Sequence, residues 1–355
     1  MQRRRWPVDK GHHHHQRTWP PGSDGTQRPR PFASLPMSSH ASKRGLTVAR
    51  TGKKRSYWFG DENGGRREPA ADFSSLPFDV LRKIAAAFSV TNLWAASGVC
   101  RAWREGLQPL REAVVLVRWG KRFKHGTGGV RRNVPKALET FLKAASRGCA
   151  AAMVDAGLIY WEMGKKDEGI ALFREAALLG DPAGQCNLGL SCLQAEPPNL
   201  KEAVNLFYEA ASRGNTRAQY SLALCLQQGR GVERDLPKAA RWYLKAALGG
   251  NPRAMYNASL CYSSGEGMPR SYQQARIWMK RAAESGHSKA QFEHGLNLFS
   301  EGKKLTSLLY FELALRSGEQ NAAPIKEALL QQLPPASRDE AMSLADNWKP
   351  VRHHH

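Results

Sequence analysis

The sequence predicts an all-α protein: a long stacked array of about six helix pairs, entered through a short helical hook. Three observations carry this. A Gly closes an Ala-rich apolar segment at Gly148, Gly180, Gly214, Gly250, Gly286 and Gly318, at intervals of 32 to 36 residues. Two alanines stand three and four positions before most of these glycines, as in Ala144-Ala145, Ala210-Ala211 and Ala282-Ala283. An aromatic stands seven positions before in Phe141, Phe173, Phe207, Tyr243 and Phe311. Self-similarity at this period marks units that cannot bury their apolar face alone and so stack on their neighbours.

The chain opens differently. Residues 1–71 hold 15 Lys/Arg against 5 Asp/Glu, so +10 of the formal +22 lies there and +12 on the remaining residues. With seven Pro, eight Gly and few aliphatics, this segment cannot bury enough surface to offset chain entropy, and it is expected to be disordered. His12 to His15 and His353 to His355 read as low-complexity tracts without a dedicated ion. Lys53-Lys54-Arg55, with Arg50 upstream, fits a nuclear import signal and a solvated charge run equally well. The Arg-rich start is compatible with an organellar transit peptide, but Asp9 and Asp24 argue against it, and no apolar core of a secretory signal is present. No apolar run is long enough to span a membrane. The six cysteines form no CxxC pair, which points to a reducing compartment.

Composition changes at Asp72. Apolar residues at 77, 80, 81, 84 and 88 fall on one helical face, with Ser75 as N-cap, Pro77 in the first turn and Asp79 complementing the dipole. A second short helix, capped by Thr91, carries Leu93-Trp94, and Gly98 interrupts the chain before Val99 to Arg104. Helices this short bury too little surface to stand alone and need a neighbour or a partner. The string Leu76-Pro77-Phe78-Asp79-Val80-Leu81-Arg82-Lys83-Ile84, then Leu93, then Val99-Cys100-Arg101-Ala102-Trp103, resembles the F-box. That module docks on the Skp adaptor of cullin-based SCF ubiquitin ligases. The resemblance implies that Leu76, Pro77, Val80, Leu81, Ile84, Leu93, Val99, Cys100 and Trp103 are divided between adaptor contacts and the core of a three-helix module. Cys100 has no His or acid beside it in sequence and is expected to be a small buried residue rather than a nucleophile.

Each unit of the array divides into a helix A and a helix B, best seen in residues 215–250. Asn215, with Asp181 and Asn251 at equivalent positions, caps helix A, and Pro182 and Pro252 take the first helical position. Ala218, Leu222, Ala223 and Leu226 form its buried stripe. Leu188-Gly189 and Leu222-Ala223 place a small residue where another backbone is expected to come close. Gly229 and Gly265 end helix A, and Gly231 and Gly267 complete the turn. Asp235, Asn199 and Ser271 cap helix B, with Glu202 and Gln274 completing capping boxes. Lys238 to Ala247 combines alanines for close packing with Trp242 and Tyr243 to fill the groove. A first unit fits residues 112–148. Units 149–180 and 287–318 have shortened turns, and His294 takes a Leu position. After 318, a helix from Ala322 to Leu330, a break at Pro334-Pro335 and a last helix capped by Ser337 and ending near Trp348 form a terminal cap.

The string from Gly229 to Ala247, closed by Gly250, resembles the Sel-type repeat, a relative of the tetratricopeptide repeat. The resemblance implies a right-handed α-solenoid that binds proteins, with helix A lining the concave wall. Arg217, Tyr220, Arg253, Tyr256, Lys289 and Phe292 would then face a client. Such a basic and aromatic stripe suits an acidic or C-terminal-carboxylate peptide. Packing between helices accounts equally well for the three aromatics. Cys225 and Cys261 recur at one repeat position where a small buried residue is wanted.

No phosphate-cradling loop, HExxH, GxSxG or zinc-ligand spacing is present, so no catalytic residue, cofactor or metal site is expected. No nucleic-acid fold motif accompanies the charge, and nucleic acid is not an expected partner. The domains expected are 1–71 disordered, 72–111 F-box-like, 112–318 solenoid and 319–355 capping helices and tail. The function that follows is substrate recognition for an SCF-type ligase in nucleus or cytoplasm, with a Skp-type adaptor, a cullin scaffold and a client protein as partners. The alternative is a repeat scaffold in which the hook only caps the array.

Overall fold

The computed structural model describes Pro77, Val80 and residues 90–351. The expectations for residues 1–71, the His tracts, Lys53 to Arg55, and for Ser75, Leu76, Asp79, Leu81, Ile84 and Phe88 lie outside the described residues. Among the described residues the regular structure is helical throughout.

The hook contributes α1 (Val90–Ala96) and α2 (Arg101–Gly106). Thr91 sits inside the first turn of α1 and does not cap it. Cys100 is the N-cap of α2: its Sγ accepts from the Trp103 backbone N–H at 3.4 Å. It is half-buried, which corrects the expectation of a buried packing residue and gives it a defined polar role. Leu107 then leads into α3 (Gln108–His125), so the residue 111/112 boundary lies within a continuous helix. Leu93, Ala96, Leu107 and Leu110 form one buried cluster, with Trp103 and Val114 packed against it. Leu107 is fully buried. Hook and array therefore share a core, each buried Leu contributing about 1.5–3 kcal/mol.

The array follows as six antiparallel pairs. Helix α3 pairs with α4 (Val134–Ala145), and α5 (Ala150–Glu162) with α6 (Lys166–Leu178). Next come α7 (Pro182–Gln194) with α8 (Leu200–Ser212) and α9 (Thr216–Gln228) with α10 (Leu236–Leu248). The last pairs are α11 (Pro252–Ser264) with α12 (Tyr272–Glu284) and α13 (Ser288–Ser300) with α14 (Lys304–Arg316). Each helix B also packs on the helix A that follows, which gives an α-solenoid.

The expected caps form. Asp181, Asn215 and Asn251 accept from the N–H groups of Gly184, Ala218 and Ala254 at 2.7, 2.9 and 3.1 Å. Asn199, Asp235 and Ser271 do the same for helix B. Gly229 and Gly265 end α9 and α11 in the left-handed region, at φ 69° and 79°. The second turn glycines have a sharper reason to be glycine. A Cβ on Gly231 would collide with the Leu200 carbonyl, and one on Gly267 with the Leu236 carbonyl. The turn of one unit therefore rests on the start of helix B in the unit before.

The small residue in helix A meets a ring as well as the expected backbone: a Cβ would lie 3.3 Å from the Ala203 carbonyl at Gly189 and 3.1 Å from the Gly169 carbonyl at Gly157. A Cβ on Gly189 would lie 2.8 Å from the Phe207 ring, and one on Gly295 2.8 Å from Phe311. Gly120 faces Phe141 and Gly157 faces Phe173 in the same way. Phe141, Phe207 and Phe311 are completely buried. A second repeated contact was not anticipated. Buried Gln219 and Gln291 donate to the Ala211 and Ala283 carbonyls, at 3.2 and 3.3 Å, satisfying acceptors at the end of the preceding helix B.

Beyond α14, a 3-10 turn (Gln320–Ala322) precedes α15 (Ala323–Gln332) and α16 (Pro335–Asp346). Helix α16 begins at Pro335, so Ser337 lies in its first turn and is not the cap. Glu312 binds Arg316 at 2.8 Å and Lys326 at 2.5 Å, while Arg316 reaches Asp346 at 2.7 Å, joining α14, α15 and α16. The chain then turns back: the Val351 N–H donates to the Glu284 carbonyl at 2.8 Å, and Trp348 packs into the core shared by α12 and α14.

Candidate binding surface

Two sets of residues carry the functional expectations: the helix A stripe and the hook. On the stripe, Arg217, Arg253 and Lys289 are exposed, one in each of three successive units. Arg217 Nη1 donates to Asn187 Oδ1 in the preceding helix A at 3.2 Å, which orients the guanidinium along the array. Helices A touch across units at α3–α5 and α5–α7, as on the inner side of a curved stack.

The three aromatics between these cations are half-buried and engaged. Tyr220 packs on Tyr243 with ring centroids 5.9 Å apart, and Phe292 packs on Phe311 at 5.9 Å. Tyr256 stacks on His287 at 4.7 Å, and its hydroxyl donates to Glu293 Oε1 at 2.7 Å. Each ring thus has a packing partner while keeping part of its surface open, and the most exposed chemistry of the stripe is cationic. Burial raises the pKa of Tyr256, and the Glu293 carboxylate adds to that, so the phenol stays a donor.

Sequence reasoning missed His287. It is the N-cap of α13, where other units use Asn or Asp, and Nδ1 accepts from the Ala290 N–H at 3.2 Å. Only the neutral ring can accept in this way. Burial first, then Arg253 and Lys289, push its pKa down to about 4. The signal was present: His287 precedes α13 as Asn251 precedes α11, but imidazole is not among the usual caps.

His294, in its Leu position, lies edge-on to Tyr310 at 4.7 Å, and burial lowers its pKa to about 4. It lines a cleft of about 520 Å³ between α12, α13 and α14. The charges there are largely paired, with Arg276 and Lys303 both on Glu301 and Lys280 on Glu284. Cys225 and Cys261 are buried and free, and burial pushes the Cys261 thiol up to about 11, so it is a poor nucleophile.

In the hook, Leu93 is buried and Trp103 half-buried against the core shared with α3, so both hold the hook to the array. Pro77, Val80 and Val99 are exposed, Val99 at 67%. Cys100 is spent on its cap.

Comparison with known proteins agrees with this geometry. Sel1 repeats match residues 114–149, 164–181, 182–215, 216–251 and 252–287. The chain is 54% identical over 349 residues to the F-box protein At1g70590 of Arabidopsis thaliana, covering 95% of this chain and 98% of that one. A shorter likeness to the DAP3-binding cell death enhancer 1 of Rattus norvegicus, 38% over 79 residues, covers 22% of this chain and 15% of that one. Among solved structures, c5321, a protective antigen of uropathogenic Escherichia coli strains that displays an SLR fold, superposes with a TM-score of 0.51. Its identity is 22%, over 77% of this chain and 64% of that one, and the likeness concerns the fold alone. With a relative matched along nearly its whole length and the repeats matched within it, this chain belongs to the family of F-box proteins that carry Sel1 repeats.

Proposed function

We propose that this protein is the substrate-recognition subunit of an SCF-type cullin ubiquitin ligase, acting in nucleus or cytoplasm. The hook docks a Skp-type adaptor and the helix A stripe holds a client. The observation that carries the reading is the common core of Leu93, Leu107 and Leu110. A hook fused to the first repeat in this way sets the orientation of whatever the repeats hold relative to whatever the hook docks. Its contribution is proximity: a client lysine held near a charged conjugating enzyme reacts at a raised effective concentration, with no bond chemistry on this chain. The parts proposed are 72–111 for docking, 112–318 for the client, 319–355 as the cap and 1–71 as a basic leader.

On the stripe, Arg217, Arg253 and Lys289 attract the client and the rings of Tyr220, Tyr256 and Phe292 brace the helices beneath them. An acidic or C-terminal carboxylate segment fits this arrangement. In the hook, Leu76, Pro77, Val80, Leu81, Ile84 and Val99 make the adaptor contact. The same Leu107 cluster supports a second reading, in which the hook is only a lid on the first repeat. Co-purification with a Skp-type adaptor separates the two. The receptor predicts a stable complex with the native chain and its loss on changing Leu76→Ala and Pro77→Ala together. A native chain that binds no adaptor, or a double variant that binds undiminished, leaves the lid reading standing.

A further inference from the structure

Net charge after residue 71 is concentrated at one place. Residues 108–136, which are α3, its turn and the start of α4, hold eight Lys/Arg against one Glu, or +7 of the +12 carried by all residues from 72 onward. Some of these cations are used. Lys121 and Lys124 face Asp155 and Glu162 of α5 at 3.9 and 4.0 Å.

The outer face of α3 is different. Arg111, Val115, Arg118, Trp119 and Arg122 recur at spacings of three and four, one stripe along the helix. Val115 is 49% exposed and Trp119 42%. No carboxylate pairs with Arg111, Arg118 or Arg122 among the described residues. Arg111 lies instead over the ring of Trp94 in the hook, 3.9 Å from its centroid, and Arg122 over Trp119 at 5.0 Å. Trp94 is itself 47% exposed. The stripe is thus continuous with the hook surface through the Trp94–Arg111 contact.

Every other helix A of the array has a preceding helix B against it. Helix α3 is the first of them, and among the described residues the hook packs on its start, around Leu110 and Val114. Among the described residues, Val115, Trp119 and the three arginines are left on a face that in later units is closed by the preceding helix B.

We propose that this stripe is the second half of the adaptor-docking surface. The Skp-type adaptor seated on the hook extends along α3 with an acidic segment that also carries apolar side chains. The proposal rests on the receptor reading given above. Charge complementarity selects the occupant: no carboxylate pairs with these three guanidinium groups among the described residues, two of them lie over tryptophan rings, and a guanidinium fork matches planar anions. The exposed apolar pair Val115 and Trp119 supplies area between them.

The test is titration calorimetry of the full chain with a purified Skp-type adaptor at low and at high salt. Circular dichroism of each variant checks that it is folded. Arg118→Glu with Arg122→Glu is expected to weaken binding by at least about tenfold at low salt, the gap narrowing as salt rises. Trp119→Ala is expected to weaken it at both salts. If both variants bind as the native chain does, while Leu76→Ala with Pro77→Ala abolishes binding, the stripe is not part of the interface and the receptor reading survives. A native chain that does not bind the adaptor at all overturns both. A third outcome also overturns the inference: the Arg variants lose binding to polyuridylate RNA but keep the adaptor.

Discussion

At the residue scale, the repeat tolerates different side chains only where their geometry matches. Gly189 faces Phe207, whereas Ala223 and Tyr243, the equivalent residues of the next unit, share one core. In the unit after that, Ser259 lies near Met279. The periodic aromatic was plain in the sequence, but the reason for the small residue was not. Sequence spacing shows that a backbone comes close and does not show that a ring comes closer still, as Phe207 does at Gly189. His287 is the clearest single case of function moved onto an unexpected side chain. Its pKa is depressed in the fold, so its stabilising effect is complete above the unfolded value of about 6.5 and is lost as pH falls towards 4. Between pH 7 and pH 5 this one group accounts for a loss of about 1–2 kcal/mol. His287→Asn keeps a cap of the kind seen at Asn251 and removes the titration. Urea unfolding at the two pH values is expected to show a smaller drop for the variant. An equal drop in both would mean that His287 is not the titrating group.

At the element scale, the helices were legible because their ends are marked. An Asn or Asp cap locates the start of α7, α9 and α11 to the residue, with proline at the first position of α7 and α11, and a left-handed glycine locates the end of α9 and α11. The hook was harder. Thr91 and Ser337 have the chemistry of caps, yet Val90 and Pro335 start their helices earlier. In short terminal elements, packing against a neighbour decides the boundary more than the local signal does. The turn glycines belong to this scale as well. Gly267 has φ 76°, and a Cβ there would meet the Leu236 carbonyl, which cannot move without unseating α10. Gly267→Ala is therefore expected to destabilise the array by more than the roughly 1 kcal/mol of an ordinary left-handed glycine, on the order of 2–4 kcal/mol. Thermal unfolding measures this. A melting temperature within a degree of the native one would contradict the account of how successive turns rest on one another.

At the scale of the whole molecule, the array and its terminal cap could be read from periodicity, while the relation of hook to array could not. No sequence signal said that Leu107 would be wholly buried between them, because the contact joins elements with unrelated patterns. The helix A stripe was half legible. Its positions were predicted by repeat geometry, but the division into exposed cations and engaged rings depends on partners such as Glu293 and His287 in the next unit. The central claim is that one rigid chain links an adaptor to a client. Proximity labelling in cells, with three forms of the full chain and with the proteasome active or blocked, tests it most directly. The forms are native, Leu76→Ala with Pro77→Ala, and Arg217→Glu with Arg253→Glu. The account predicts proteins that are labelled by the native chain and accumulate when the proteasome is blocked. They should stay labelled and become more abundant with the hook variant, and lose labelling with the stripe variant. If no protein follows that pattern, and those labelled respond to neither pair of changes, the chain does not act as a receptor.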